Sequence, residues 1–219
     1  MNLPPSDPIL ETDLRTQVEP IHAKFLDRFE GYLSEEAKAR MKTTQDRLFI
    51  LPQEDISTFL QAWTGVSKSY RGLHINYGDL IVVADRKYID YDLLTEEQKD
   101  EYIDEFGNER AAKKHVRQVR SRMTLVHELT HDLQANATPD WFKECAASFF
   151  TERICRDIDQ EVIPVNHTQQ RSDIFWHLHE QFGDDVYRLF FGTLEDGQLR
   201  DQILRGVAHS DLVEVGLLK

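Results

Sequence analysis

Hydrophobic residues recur along most of this chain at the three- and four-residue spacing of helices, and only a few short runs follow the pattern of strands. From Glu11 to about Lys42 the residues Leu14, Val18, Ile21, Phe25 and Phe29 fall near one stripe. Pro20 is expected to divide this stretch into two helices or to kink it. Arg47-Leu48-Phe49-Ile50-Leu51, ended by Pro52, reads as a buried strand, and Asp55 is placed to cap a short helix through Trp63. Between Leu73 and Asp85 an alternating run and a continuous apolar run flank Tyr77-Gly78-Asp79, which predicts a hairpin or two neighbouring strands.

The second half is helical. Thr95-Glu96-Glu97-Gln98 is a capping-box pattern that opens a helix to about Phe106, with Gly107 as its stop and Asn108 as a cap for the next. That next helix is long, from about Glu109 to Gln134. Val116, Val119, Met123, Val126 and Thr130 lie near one face of it, while Lys113, Lys114, Arg117 and Arg120 mostly lie elsewhere. Thr138 followed by Pro139 predicts a fresh helix start, with proline at the first helical position. Helices over Arg171 to Phe182, Asp184 to Leu194 and Gln198 to Val207 complete the series, with breaks at Gly183 and Gly192. Helices and strands come first, then the long helix, then helices only. The order predicts an α+β fold in a single domain over 1–219, with an N-terminal lobe (1–134) carrying a small sheet and a helical C-terminal lobe (135–219).

Composition narrows the function. The 219 residues suffice for one well-filled core, and a formal charge of −13 leaves no basic stripe for phosphate contacts, so no nucleic-acid partner is expected. No apolar run approaches the roughly 20 residues needed to span a bilayer. Met1-Asn2-Leu3-Pro4-Pro5-Ser6-Asp7-Pro8 lacks the basic start and apolar core of a secretory signal. A cytoplasmic location is expected, or export without such a signal, or a mature form. Cys145 and Cys155 stand about 10 residues apart on one predicted helix, roughly 15 Å, too far for a disulfide.

The chemistry concentrates at His127-Glu128-Leu129-Thr130-His131, in the last turns of the long helix. Residues four apart share a helix face, so His127 and His131 can turn ring nitrogens to one metal ion. Glu128 is rotated by about 100° and reaches a metal-bound water without being a ligand. A catalytic zinc site ordinarily takes three protein ligands and leaves a fourth position open. Pro139-Asp140-Trp141-Phe142-Lys143-Glu144-Cys145-Ala146-Ala147 offers the third from an antiparallel helix: His131 lies about one turn before the connection and Glu144 about one and a half turns after it. Trp141 and Phe142 can wedge this helix against the core, and Ala146 and Ala147 permit close approach.

The pair of segments, His-Glu-Leu-Thr-His and Pro-x-Trp-Phe-x-Glu-x-Ala, resembles the gluzincin branch of the zincin metallopeptidases, over about Met123 to Glu152. Cys145 stands where that signature usually has glycine, and the interval between His131 and Glu144 is that of small, minimal members. The resemblance implies a zincin-like fold, His127, His131 and Glu144 as ligands of one Zn2+ per chain, Glu128 as general base, and a peptide or protein substrate. Without an aminopeptidase motif, an endopeptidase or a specialised peptidase is expected. Rival readings are a regulatory protein of the repressor-cleaving type with a single partner, a non-catalytic binding module, and a latent enzyme covered by one of its ends.

Other residues are less decided. The oxyanion of peptide hydrolysis needs a donor; His179, His177 and Tyr187 are on offer, and the sequence does not choose. Ser148, one turn beyond Glu144, is a candidate partner to a ligand histidine or bonds its own helix. Glu152 reads as a solvated helix residue and Asp132 as a surface charge. His22, His74, His115, His167 and His209 have no sequence neighbours that suggest a site. Leu80 to Ala84 or Arg86 to Tyr91 can supply a substrate-pairing edge strand, although the run Leu80 to Val83 fits a buried central strand better.

Overall fold

A computed structural model describes residues 8–52, 72–75, 80–85, 91–135, 138–158, 160–163, 166–207 and 211. The first helix, α1 (Pro8–Phe29), runs unbroken through Pro20. Leu14, Val18, Ile21 and Phe25 on both sides of the proline are all buried, and keeping that stripe continuous outweighs one missing backbone hydrogen bond. The division expected at Pro20 falls instead after Phe29, where a turn leads to Ser34, whose side chain accepts from Ala37 N and starts α2 (Glu35–Met41). A single turn, α3 (Thr44–Arg47), follows.

The strands are β1 (Leu48–Pro52), β2 (Gly72–Ile75) and β3 (Leu80–Asp85), in the order β1-β3-β2. β1 runs parallel to β3, with Leu48 opposite Ile81, and β2 pairs antiparallel, with Leu73 opposite Val82. The continuous apolar run is thus central: Ile81, Val82 and Val83 are fully buried, as a strand covered on both faces requires. Leu80 to Ala84 is therefore not an edge; among the described residues β1 and β2 are the outer strands. The expected helix from Asp55 to Trp63 and most of the Arg86 to Tyr91 segment lie outside the described residues.

After a 3-10 turn at Tyr91–Leu93, helix α4 (Glu96–Phe106) opens with the capping box of Thr95 and Gln98 and ends at Gly107, φ 79°. Asn108 caps the long helix α5 (Glu109–Leu133) by accepting from Ala111 N. Helix α6 (Asp140–Asp157) starts one residue later than expected, with Pro139 as its cap position and Thr138 bonding back to the carbonyl of Ala135. Then come α7 (Asn166–Phe182), begun five residues before the predicted Arg171, α8 (Asp185–Phe191) and α9 (Gly197–Arg205). The arrangement is α+β and predominantly helical. Among the described residues no helix is long and apolar enough to cross a membrane.

Helix α5 packs on β3 and β2 on one side and on α6 on another, with α7 beyond α6. An aromatic cluster joins α1 to the later helices. Phe150 of α6 meets Phe29 at 5.0 Å, Phe191 at 5.2 Å, Phe190 at 5.3 Å and Phe175 at 5.6 Å between ring centroids. Separations and tilts of this kind are the favoured ring–ring arrangements. They fix the rotation of α6, and with it the direction in which Glu144 points.

Candidate metal centre

The sequence dictates the first half of the centre: four residues on α5 bring His127 and His131 onto one face, with their Nε2 atoms 3.1 Å apart. The second half depends on how α6 returns. Phe142 is fully buried against Phe175 (5.6 Å) and Phe190 (6.5 Å), Trp141 is half-buried, and Ala146 and Ala147 have no exposed surface. With those positions turned to the core, Glu144 faces α5. Its Oε1 lies 3.3 Å from His131 Nε2 and its Oε2 3.6 Å from His127 Nε2. The three side chains form a group whose donor atoms all lie within 4.8 Å, the one such group found among the described residues. All three are at least partly buried.

Both imidazoles are held from behind. His131 Nδ1 lies 2.8 Å from Gln134 Oε1. A carbonyl oxygen only accepts, so Nδ1 carries a proton, and it is Nε2 that faces the shared centre, where its lone pair is available to a metal once that nitrogen is unprotonated. His127 Nδ1 faces the hydroxyl of Thr151 at 3.5 Å, a weaker hold, while that hydroxyl donates to the Ala147 carbonyl at 2.6 Å. The hydroxyl brought to a ligand-type histidine is thus Thr151, one helical turn beyond the predicted Ser148. Glu128 is 5 % exposed and adds its charge to His131 without joining the donor group.

Electrostatics couple the three members. Burial disfavours the charged imidazole of His131, but the bond to Glu144 and the charges of Glu144 and Glu128 outweigh it, lifting its pKa to about 9. Burial acts to raise Glu144, and the bonds and charges of His127 and His131 overcome this and hold it well below the usual carboxylate range. In the absence of an ion, proton-bearing imidazole and carboxylate satisfy one another.

Behind the centre lies a polar anchor. Asp132 has no exposed surface, contrary to the surface position expected for it, because Arg47 reaches across from α3 and donates to both its oxygens at 2.7 Å. Arg40 donates to the Asp132 main-chain carbonyl at 3.1 Å, and Arg47 also donates to the Arg40 carbonyl at 2.9 Å. The end of a helix leaves carbonyls without partners; here Arg40 supplies one for α5, while Arg47 holds the Asp132 side chain and the Arg40 carbonyl of α2. Arg120, counted in sequence with the residues off the apolar face, is buried and donates to the Ile163 carbonyl at 2.7 Å.

The candidate oxyanion donors do not join the group. His179 stacks on Tyr187 (4.8 Å) and Trp176 (5.2 Å) and meets Asp184 at 3.3 Å; His177 is exposed and bonded to Gln181. Tyr187 belongs to the aromatic core, where burial pushes its hydroxyl up to about 12. The basic group that does reach the centre is Arg171 of α7, with Nη1 3.4 Å from Glu144 Oε2. Glu152 is half-buried rather than solvated, taking bonds from Arg156 and Ser172. Both cysteines are free and buried, and burial raises each thiol to about 12, as expected of packing residues. No known family model, curated protein or solved structure matches the chain.

Proposed function

We propose that the chain is a zinc-dependent peptidase of the gluzincin-like, zincin-fold type, with His127, His131 and Glu144 as ligands and Glu128 as general base. The observation that carries this reading is the spacing of the three donors. Zinc bonds of about 2.0–2.1 Å in a tetrahedron put neighbouring donors roughly 3.3–3.4 Å apart. In the protein the two Nε2 atoms lie 3.1 Å apart, His131 Nε2 lies 3.3 Å from Glu144 Oε1 and His127 Nε2 3.6 Å from Glu144 Oε2, and one donor atom from each residue lies within 4.8 Å of the others. Two imidazoles and a carboxylate are a borderline donor set that suits zinc. Three ligands leave a fourth position for water.

When bound, zinc supplies an acidified water and a Lewis acid for the scissile carbonyl. The protein's own groups do the rest. Glu128, buried beside the donor group, takes the proton of the attacking water and delivers it to the leaving amine. Gln134 keeps His131 in one tautomer. Among the described residues β2 is an outer strand that lies beside β3 and packs on α5, the kind of edge to which an extended peptide can pair.

Metal content and hydrolysis test the reading together. Wild-type protein purified without a His tag is expected to hold about one zinc per chain, and Glu144→Ala to lose it. Glu128→Gln is expected to keep the metal while cleavage of an unstructured protein substrate falls about 10²- to 10⁴-fold. A folded wild type that takes up no zinc when supplied with it would sink the proposal.

A further inference from the structure

We infer that Arg171 is a positioning residue for Glu144: it holds carboxylate oxygen Oε2 and leaves Oε1 as the oxygen offered to the metal. This rests on the metal-site reading above. The two oxygens have different surroundings. Oε1 sits 3.3 Å from His131 Nε2, whereas Oε2 stands between His127 Nε2 at 3.6 Å and Arg171 Nη1 at 3.4 Å. Among the described residues, Arg171 is the one arginine or lysine within ion-pair distance of Glu144.

The fold explains why an arginine from α7 arrives there. Phe175, one turn after Arg171 and therefore on the same face, packs on Phe142, Phe149 and Phe150 of α6 at 5.1 to 5.6 Å. Ser172 also turns to α6, its hydroxyl 3.4 Å from Glu152. That packed face aims the Arg171 stem along α6 toward Glu144. The contact is longer than the 2.7–2.9 Å of a tight charge-assisted bond. It therefore acts mainly through charge, at a site where both side chains are only partly exposed.

A carboxylate can offer a metal one oxygen or both, and a positive charge held beside the second oxygen favours one. With Arg171 present, that charge is the guanidinium. Without it, no guanidinium competes for Oε2, which is free to join Oε1 on the ion beside the two histidines and the water, raising the coordination from four to five.

Cobalt(II) makes this visible, because its visible bands are strong in four-coordinate sites and weak at higher coordination. Metal-free protein is loaded with cobalt in excess, freed of unbound ion, and its spectrum recorded at known cobalt content. Arg171→Met is expected to bind one cobalt per chain with band intensity lowered by about half or more. Arg171→Lys, which keeps the charge as a compact ammonium, is expected to stay near wild type. If Arg171→Met fails to fold by circular dichroism, Arg171→Gln is read in its place. A neutral variant whose spectrum superimposes on wild type at equal cobalt content would overturn the role of Arg171 and leave the metal site standing. A folded wild type that takes up no cobalt would overturn the metal site itself, and this inference with it.

Discussion

Helix α5 carries a histidine–glutamate contact near each end, and the shorter of the two is the less informative. Near the start, His115 Nε2 meets Glu161 Oε2 at 2.5 Å, Tyr102 also donates to Glu161, and Phe106 stacks on the imidazole at 4.2 Å. Near the end, His131 and His127 meet Glu144 at 3.3 and 3.6 Å. The first contact is partly open to water and holds a single imidazole, so it ties the α6–α7 connection to α4 and α5 and does nothing else visible. The second is deeper, brings two imidazole nitrogens and a carboxylate to one point, and is braced by Gln134, Thr151 and Arg171. Convergence and bracing mark a centre that can hold an ion; a short contact alone marks a bridge.

The sharpest way to break the comparison is to remove the anchor under the deep end. Arg47→Met leaves the fully buried Asp132 carboxylate without its fork, a loss expected to cost about 3–5 kcal/mol in urea unfolding. The double variant Arg47→Met/Asp132→Leu should regain most of that. A single-variant loss below about 1 kcal/mol would show that the buried pair is not what secures the end of α5.

His22 sharpens the contrast through pH. Burial, helped by the charge of Arg47 and opposed by that of Asp132, lowers its pKa from 6.5 to about 4, and its Nε2 has no hydrogen-bond partner among the described residues. The folded protein therefore resists a proton that the unfolded chain accepts near pH 6.5. This contribution is intact above that pH and is lost as pH falls toward 4, by roughly 3 kcal/mol in all. His22→Leu should lose less stability than wild type between about pH 7.5 and about pH 4.5; equal losses in both proteins would refute the assignment. The smallest effect belongs to the exposed end. His115→Ala is expected to cost no more than about 1 kcal/mol and to leave metal content unchanged. A fall in bound metal would mean that the two ends of α5 are coupled.

Much of the fold was legible because its signals are local. The capping box at Thr95, the stop at Gly107 and the cap at Asn108 each need only neighbouring residues, and they stand where expected. So does the hairpin of β2 and β3, and the central position that the run Ile81-Val82-Val83 favours. No break forms at Pro20 because its local cost is set against burial contributed by residues far along the chain. Asp132 is likewise settled from afar: nothing beside it in sequence announces Arg47, 85 positions away.

Within the centre the division is similar. The four-residue spacing of His127 and His131 is a property of any helix, and the short turn to α6 limits where Glu144 can stand, so those residues were readable without a structure. The direction in which Glu144 points was settled by Phe142 and Phe150 packing into a core built from α1, α7 and α8. Thr151 and Arg171 arrive through helix rotation and helix pairing, and only the folded chain brings them in. By itself the sequence determined which atoms are chemically able to bind a metal, since that follows from residue type and helical period. Only the tertiary structure decided which charges stand around them, because electrostatic neighbours are chosen by packing between segments and not by order along the chain.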